Sequence, residues 1–199
     1  MWYVIQTMTG KEQELVTAVE HVLGGEGQKK SDSQSDRHSD SRSYKRCFVL
    51  YRECLWRLEG QLLVHIEPLF PSYVFVETDA PERFFLGLKQ VPKLSRLLGA
   101  DGSFWGLAAE EEPFFFRMLE AASQEMRTGT GQYLVRRSLV RIDAEGQIVE
   151  AEGVLKDYLG QVVKQRLRKR SVIIEIPFLG AKRRIQLGIR LEEDGEESG

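Results

Sequence analysis

Eight basic residues crowd two short stretches near the C-terminal end of the chain. Lys164, Arg166, Arg168, Lys169 and Arg170 lie in QVVKQRLRKR, and Lys182, Arg183 and Arg184 in LGAKRRI. Ammonium and guanidinium groups on neighbouring loops neutralise phosphates and release their counterions, so the chemistry on offer is salt-dependent binding of nucleic acid. Alone, RLRKR would equally be an ordinary solvated surface. The distribution of charge favours binding. Residues 131–191 hold 13 Lys and Arg against 6 Asp and Glu, a net of +7, whereas residues 1–130 carry −4 and the tail 192–197 carries −5. The overall charge of −2 conceals this asymmetry, and such asymmetry points to partners.

Residues suited to catalysis are not arranged for it. His21 falls on an expected helix, His38 in a polar loop, and His65 beside Glu67 in a strand, where the two are expected to face apart. Asp36-Arg37-His38-Ser39-Asp40 superficially resembles a metal cluster, but reads as a solvated linker with no preorganisation. Cys47 and Cys54, seven apart in an apolar segment, are expected to be reduced, buried thiols rather than a disulfide or a metal pair. Neither a phosphate loop GxxxxGK[ST] nor a serine elbow GxSxG occurs. The reading is a non-enzyme with no cofactor and no metal.

The elements that must position the basic runs follow from periodicity. Residues 2–8, WYVIQTM, read as a strand, and Thr9 with Glu12 has capping-box spacing before a helix carrying Leu15, Val19, Val22 and Leu23. Residues 24–43 contain no large apolar side chain and read as a disordered loop. Strands are expected at 47–51 and 61–66 about a Glu59-Gly60 turn, and again in LFPSYVFV, where Pro71 marks the strand's entry. Pro81 opens a short helix, and Glu110-Glu111-Glu112 precedes a helix with Phe114, Phe115, Met118, Leu119 and Ala122 on its apolar side. Beyond a linker at 128–132 come five short strand candidates at 138–142, 147–151, 161–164, 172–176 and 185–189, which suggest a small closed barrel.

Four segments in order, WYVIQTMTG, LFPSYVFV, VPKL followed by Leu98-Gly99, and EGVLKDYLGQVV, resemble the signature segments of NusG transcription elongation factors. The resemblance implies an α+β chain: an NGN domain, an antiparallel sheet flanked by helices, over 1–127, then an all-β, SH3-like KOW barrel over 133–191 and an acidic tail over 192–199. It further implies that Tyr3, Phe70, Pro71 and Tyr73 line an apolar surface for the clamp helices of the largest RNA polymerase subunit, with non-template DNA a further candidate partner. Ser72 stands where the family often has glycine, and Val154 where the KOW motif often has proline. Leu179 and Ala181 replace the aromatic and arginine that general NusG proteins use against a ribosomal protein or Rho. With both basic runs in the barrel, the pattern resembles the specialised LoaP-like branch, antiterminators whose KOW domain recognises an RNA hairpin.

The expectation is therefore an operon-specific antitermination and elongation factor that grips polymerase with one domain and nascent RNA with the other. Two alternatives stand beside it: a general NusG-like factor whose barrel binds a protein, and a KOW-containing ribosome-associated structural protein. The acidic front half argues against the latter. No apolar run approaches the ~18 residues needed to span a bilayer, and the start lacks a signal-peptide pattern, so no membrane role and a cytoplasmic location are expected. The acidic tail is expected to screen the barrel, so that deleting Glu192 to Gly199 tightens RNA binding at low salt.

Overall fold

The computed structural model describes residues 1–24, 43–59, 61–91, 95–97, 99–100, 103–104, 106–128 and 133–194. The polar loop at 24–43, the linker at 128–132, the Pro92-Lys93-Leu94 motif and the end of the acidic tail lie wholly or largely outside them. In chain order the elements are β1 (Trp2–Thr7), α1 (Glu12–Leu23), β2 (Arg46–Phe48), β3 (Leu50–Leu58), β4 (Gln61–Pro68), β5 (Tyr73–Glu77) and α2 (Pro81–Leu88). Next come β6 (Ser95–Leu97), β7 (Gly99–Ala100), β8 (Ser103–Phe104) and α3 (Glu112–Thr128). Strands β9 (Tyr133–Val135), β10 (Ser138–Ile142), β11 (Ile148–Ala151), β12 (Val162–Arg166), β13 (Ser171–Phe178) and β14 (Ala181–Leu191) complete the chain. Contacts group residues 1–49 and 71–107 into one unit, and residues 50–70 and 108–199 into a second.

The first unit is built on an antiparallel sheet in the order β2-β5-β1-β6. Trp2, Tyr3, Val4 and Ile5 are buried in succession, as in a strand covered on both faces, and Val74, Phe75 and Val76 of β5 continue that core. Leu15, Val19 and Leu23 recur on one side of α1 and are buried, as are Phe84 and Leu88 of α2, whose first turn begins with Pro81. The expected capping box does not form. Lys11 occupies the N-cap without a side-chain bond, Thr9 Oγ1 pairs with Ser72 Oγ at 2.6 Å, and the buried Glu12 carboxylate accepts the Ser72 N–H at 2.7 Å. Gly10, at φ +84°, turns the chain so that both groups meet the turn before β5 instead of the helix end.

In the second unit, β3 and β4 form a hairpin registered from Tyr51↔Pro68 to Leu58↔Gln61, and β9 joins β3 in parallel. Glu59 enters the two-residue turn at φ +51°. Helix α3 buries Phe114, Phe115, Met118, Leu119 and Ala122, the residues its sequence spacing selects. All five expected barrel strands are present, in the sheet order β11-β10-β14-β13-β12, with β10 and β14 parallel. The outer strands meet through a side chain rather than a ladder: Gln165 Oε1 accepts the Ile148 N–H at 3.3 Å, and Gln165 Nε2 donates to Gln147 Oε1 at 3.3 Å. Val140, Leu155, Val172, Ile174, Ile176, Leu187 and Ile189 fill the interior, each worth about 1.5–3 kcal/mol of transfer free energy when fully buried.

The hairpin is fastened onto β14. A Cβ on Gly188 would come within 2.2 Å of the Glu53 carbonyl oxygen, so only glycine permits this approach. Arg52 Nη1 donates to the Gln186 carbonyl while its Nε donates to Glu67 at 3.1 Å, and the Glu53 carboxylate accepts the Arg137 N–H at 3.1 Å. The hairpin and α3, read from sequence as parts of the front domain, thus make their contacts within the unit that contains the barrel. Cys47 and Cys54 are free and buried, as expected, but they sit on strands of different sheets.

Candidate nucleic-acid interface

The first basic run is carried by the end of β12 and a single 3-10 turn, Leu167–Lys169, that leads into β13. Lys164, Arg168 and Lys169 are exposed and Arg166 is half-buried. None of the four has a carboxylate within ion-pair distance among the described residues. Arg170 behaves differently. It takes a left-handed conformation at φ +47°, its Nη1 donates to the Leu167 carbonyl at 2.8 Å, and its Nε donates to the Asp194 carboxylate at 2.8 and 2.9 Å. Its side chain is 16% exposed and that of Asp194 15%. Arg170 therefore closes the turn, and of the five residues read as phosphate ligands it is the one with a carboxylate partner among the described residues. Asp194, in turn, is no loose electrostatic screen. Burial alone would raise its carboxyl, but the bonds from Arg170 and the Leu191 N–H outweigh that and hold it below the ordinary range.

The second run lies on β14. Lys182 and Arg184 are strongly exposed and share Glu175 on β13, at 4.0 and 3.3 Å, while Arg183 Nε donates to the Phe178 carbonyl at 3.0 Å. The hairpin turn before them has Leu179 at φ +53° and Gly180 at φ +70°, the two left-handed positions of a type I′ turn. The Gly180 N–H is donated to Glu111, just ahead of α3, at 2.7 Å. This is the turn that carries Leu179 and Ala181, the two positions at which the sequence is expected to depart from a protein-binding pattern.

The residues expected to meet polymerase are unequally presented. Tyr3 and Phe70 are only 6% and 4% exposed, Pro71 is exposed and Tyr73 half-buried. Tyr73 pairs with Gln6 at the start of β5. Phe70 stacks on Phe178 with ring centroids 4.5 Å apart and 25° between planes, and meets Phe114 edge-on at 6.3 Å. Phe114 also contacts Tyr158 edge-on at 5.1 Å, and Arg117 bonds Asp157 at 2.6 Å, so α3 is held along the aromatic cluster.

Ser72 sits at φ +72°, which is why glycine suits that position, and its left-handed backbone aims the N–H at Glu12. Gly153, at φ +62°, takes a left-handed backbone that glycine adopts without strain, and the Leu155 N–H two residues on is donated to Ser138 Oγ at 3.1 Å.

A sequence model of the family described as "Transcription termination factor nusG" matches residues 1–113, more than half of the chain. The chain belongs to the NusG family. Members of that family are transcription factors rather than enzymes, and they work with RNA polymerase and nucleic acid. No curated protein matches the chain. Among solved structures it is similar to one described as "Domain interaction in Thermotoga maritima NusG", at 17% identity and a TM-score of 0.55, covering 94% of this chain and 93% of that one. At that identity the likeness is one of fold: an NGN-type helix-and-sheet unit and a KOW-like barrel, as expected. No described helix is long and apolar enough to cross a membrane, and no group of three or more His, Cys, Asp or Glu among the described residues could hold a metal.

His65 and Glu67 depart from the expected arrangement. Two residues apart, they share a face of β4 rather than facing apart; yet Glu67 is engaged by Arg52, and the His65 ring stacks on Trp56 at 3.7 Å, so the pair forms no dyad. Trp56 itself escaped the reading of the sequence. It is 55% exposed and lies opposite Leu63, itself exposed. The available signal was Leu62-Leu63-Val64, a strand apolar on both faces where a one-sided strand would alternate.

Proposed function

We propose that this NusG-family chain is an operon-specific antitermination and elongation factor whose barrel binds nascent RNA while its NGN part holds RNA polymerase. The observation that carries the RNA assignment is the row of Lys164, Arg166, Arg168 and Lys169, four cations without carboxylate partners among the described residues, on a barrel segment of net +7. Cations serving only solubility are commonly paired or dispersed; these share one strand end and one turn. Lys182, Arg183 and Arg184 extend the basic surface, and Arg170 supports it by fixing the turn. In this reading Pro71 and Tyr73, with the largely buried Tyr3, contribute to the polymerase-docking surface, and Phe70 joins only when its stack on Phe178 opens. Docking on the clamp helices brings the barrel near emerging RNA at high effective concentration.

The test is equilibrium binding of the full chain to a hairpin RNA, single-stranded RNA and duplex DNA across a salt series. The expected result is a steep salt slope with preference for the hairpin. Changing Arg166, Arg168 and Lys169 to alanine should lower that slope by about 3, since each phosphate left without its cation subtracts about 1. Weak binding without preference would return the chain to a general NusG-like role with a protein partner for the barrel.

A further inference from the structure

A cleft of about 890 Å³ lies between strand β3 of the hairpin and the Leu167–Lys169 turn of the barrel. Its lining includes Cys54 and Trp56 of β3, Gln186 of β14, and the cations Arg166, Arg168 and Lys169. The indole of Trp56 is held from one side by the His65 ring, at a centroid distance of 3.7 Å and 27° between planes, yet remains 55% exposed. An aromatic that is fixed, solvent-facing and bordered by cations with no carboxylate partner among the described residues combines the two parts of a single-strand site: a face on which a base stacks and charges that track its phosphates.

We propose that this cleft takes an unpaired nucleotide of RNA, with its base on Trp56 and its flanking phosphates at Arg166, Arg168 and Lys169. The proposal deepens the RNA-binding reading and rests on it. Single-stranded RNA is the occupant because the charge complementarity and the aromatic face coincide, and the cleft's volume falls in the range of about 300–1,000 Å³ typical of small-ligand sites. Paired bases expose no such face, so the cleft reads the single-stranded flank of a structured RNA while the remaining barrel cations meet its stem. The close approach at Gly188 and the Arg52 bridge to Gln186 set the width, because they hold the hairpin against β14.

The experiment is fluorescence anisotropy of the full chain with a stem-loop RNA carrying a labelled unpaired tail, with the same tail made abasic, and with a fully paired RNA duplex. Trp56→Ala is expected to weaken binding of the tailed RNA by about 5- to 150-fold, to leave duplex binding unchanged, and to add little to the loss caused by the abasic tail. Trp56→Phe keeps most of the affinity, and it guards against a Trp56→Ala chain that has merely lost its hairpin. If Trp56→Ala binds the tailed RNA as the parent does while the Arg166, Arg168 and Lys169 triple-alanine chain does not, the stacking proposal is overturned and the RNA-binding reading stands. If the triple variant also binds as the parent does, the RNA-binding reading falls and takes this one with it. Equal weakening on tailed and duplex RNA would also overturn stacking, because Trp56 would then act only by supporting the hairpin.

Discussion

Arg170 holds Asp194 through its Nε and Nη2 atoms, and Asp194 in turn accepts the Leu191 N–H at 2.7 Å, so the residues after β14 are pinned beneath the turn that bears the basic run. The Asp194 carboxyl is held below its ordinary value. A lowered folded value means that the stabilisation is present above the unfolded value of about 4 and is lost as pH falls through the folded one. Asp194→Asn should cost about 1–3 kcal/mol at neutral pH, with the difference from the parent shrinking below about pH 4. Urea melts across a pH series check this. Deleting Glu192 to Gly199 would remove this latch as well as the charge, so a chain ending after Asp194 is the cleaner probe of screening.

Ser72→Gly should leave the fold intact and raise stability by a few tenths to about 1 kcal/mol, because relief of the left-handed strain at φ +72° exceeds the loss of an exposed bond to Thr9. Glu12→Ala should do the opposite, costing about 1–3 kcal/mol by leaving the Ser72 N–H without its charged acceptor. Thermal melts of both variants give the two signs.

Gly188→Ala inserts a methyl group where a backbone carbonyl already stands, 2.2 Å from the ideal Cβ position. Something must shift, and overpacking of this kind costs about 1–3 kcal/mol. The hairpin is the part that gives, which widens the cleft. Faster amide exchange across Cys54, Leu55 and Trp56, with exchange in β10 and β11 unchanged, is the expected signature.

Phe178→Ala removes the ring that stacks on Phe70 and should cost about 3–5 kcal/mol in the barrel core. On the proposed polymerase contact it should also raise the affinity for a clamp-helix peptide, since Phe70 is uncovered. Titration of Phe178→Ala and the double variant Phe70→Ala, Phe178→Ala separates the two effects: the gain should vanish in the double variant.

The barrel was legible because each strand carries its own alternation and each turn its own signal: Leu179-Gly180 reads locally as a hairpin turn and is one. Helix α1 was legible from Leu15, Val19 and Leu23, but its cap was not, since Thr9 and Glu12 are claimed by Ser72, some 60 residues away in sequence. The hairpin's attachment to β14 was hidden for the same reason: Gly188 looks like any strand glycine until Glu53 is brought against it. Of the candidate site, the cations themselves were readable. Which of them is spent on structure, and which aromatic stands beside them, is decided by tertiary contacts alone.

The second unit is assembled from two stretches of chain that are not continuous, residues 50–70 and 108–199. Its hairpin leaves the ribosome well before its partner exists. About 120 residues separate Phe70 from Leu191, which at roughly 5–20 residues per second is on the order of 6–24 seconds of synthesis. Throughout that interval Phe70 lacks the Phe178 ring that later stacks on it, and a pairing so distant in sequence is of high contact order and hence slow. A nascent chain with an apolar hairpin waiting for its last strand is a natural client for a chaperone, and a pause in translation before residue 178 should sharply raise its tendency to aggregate.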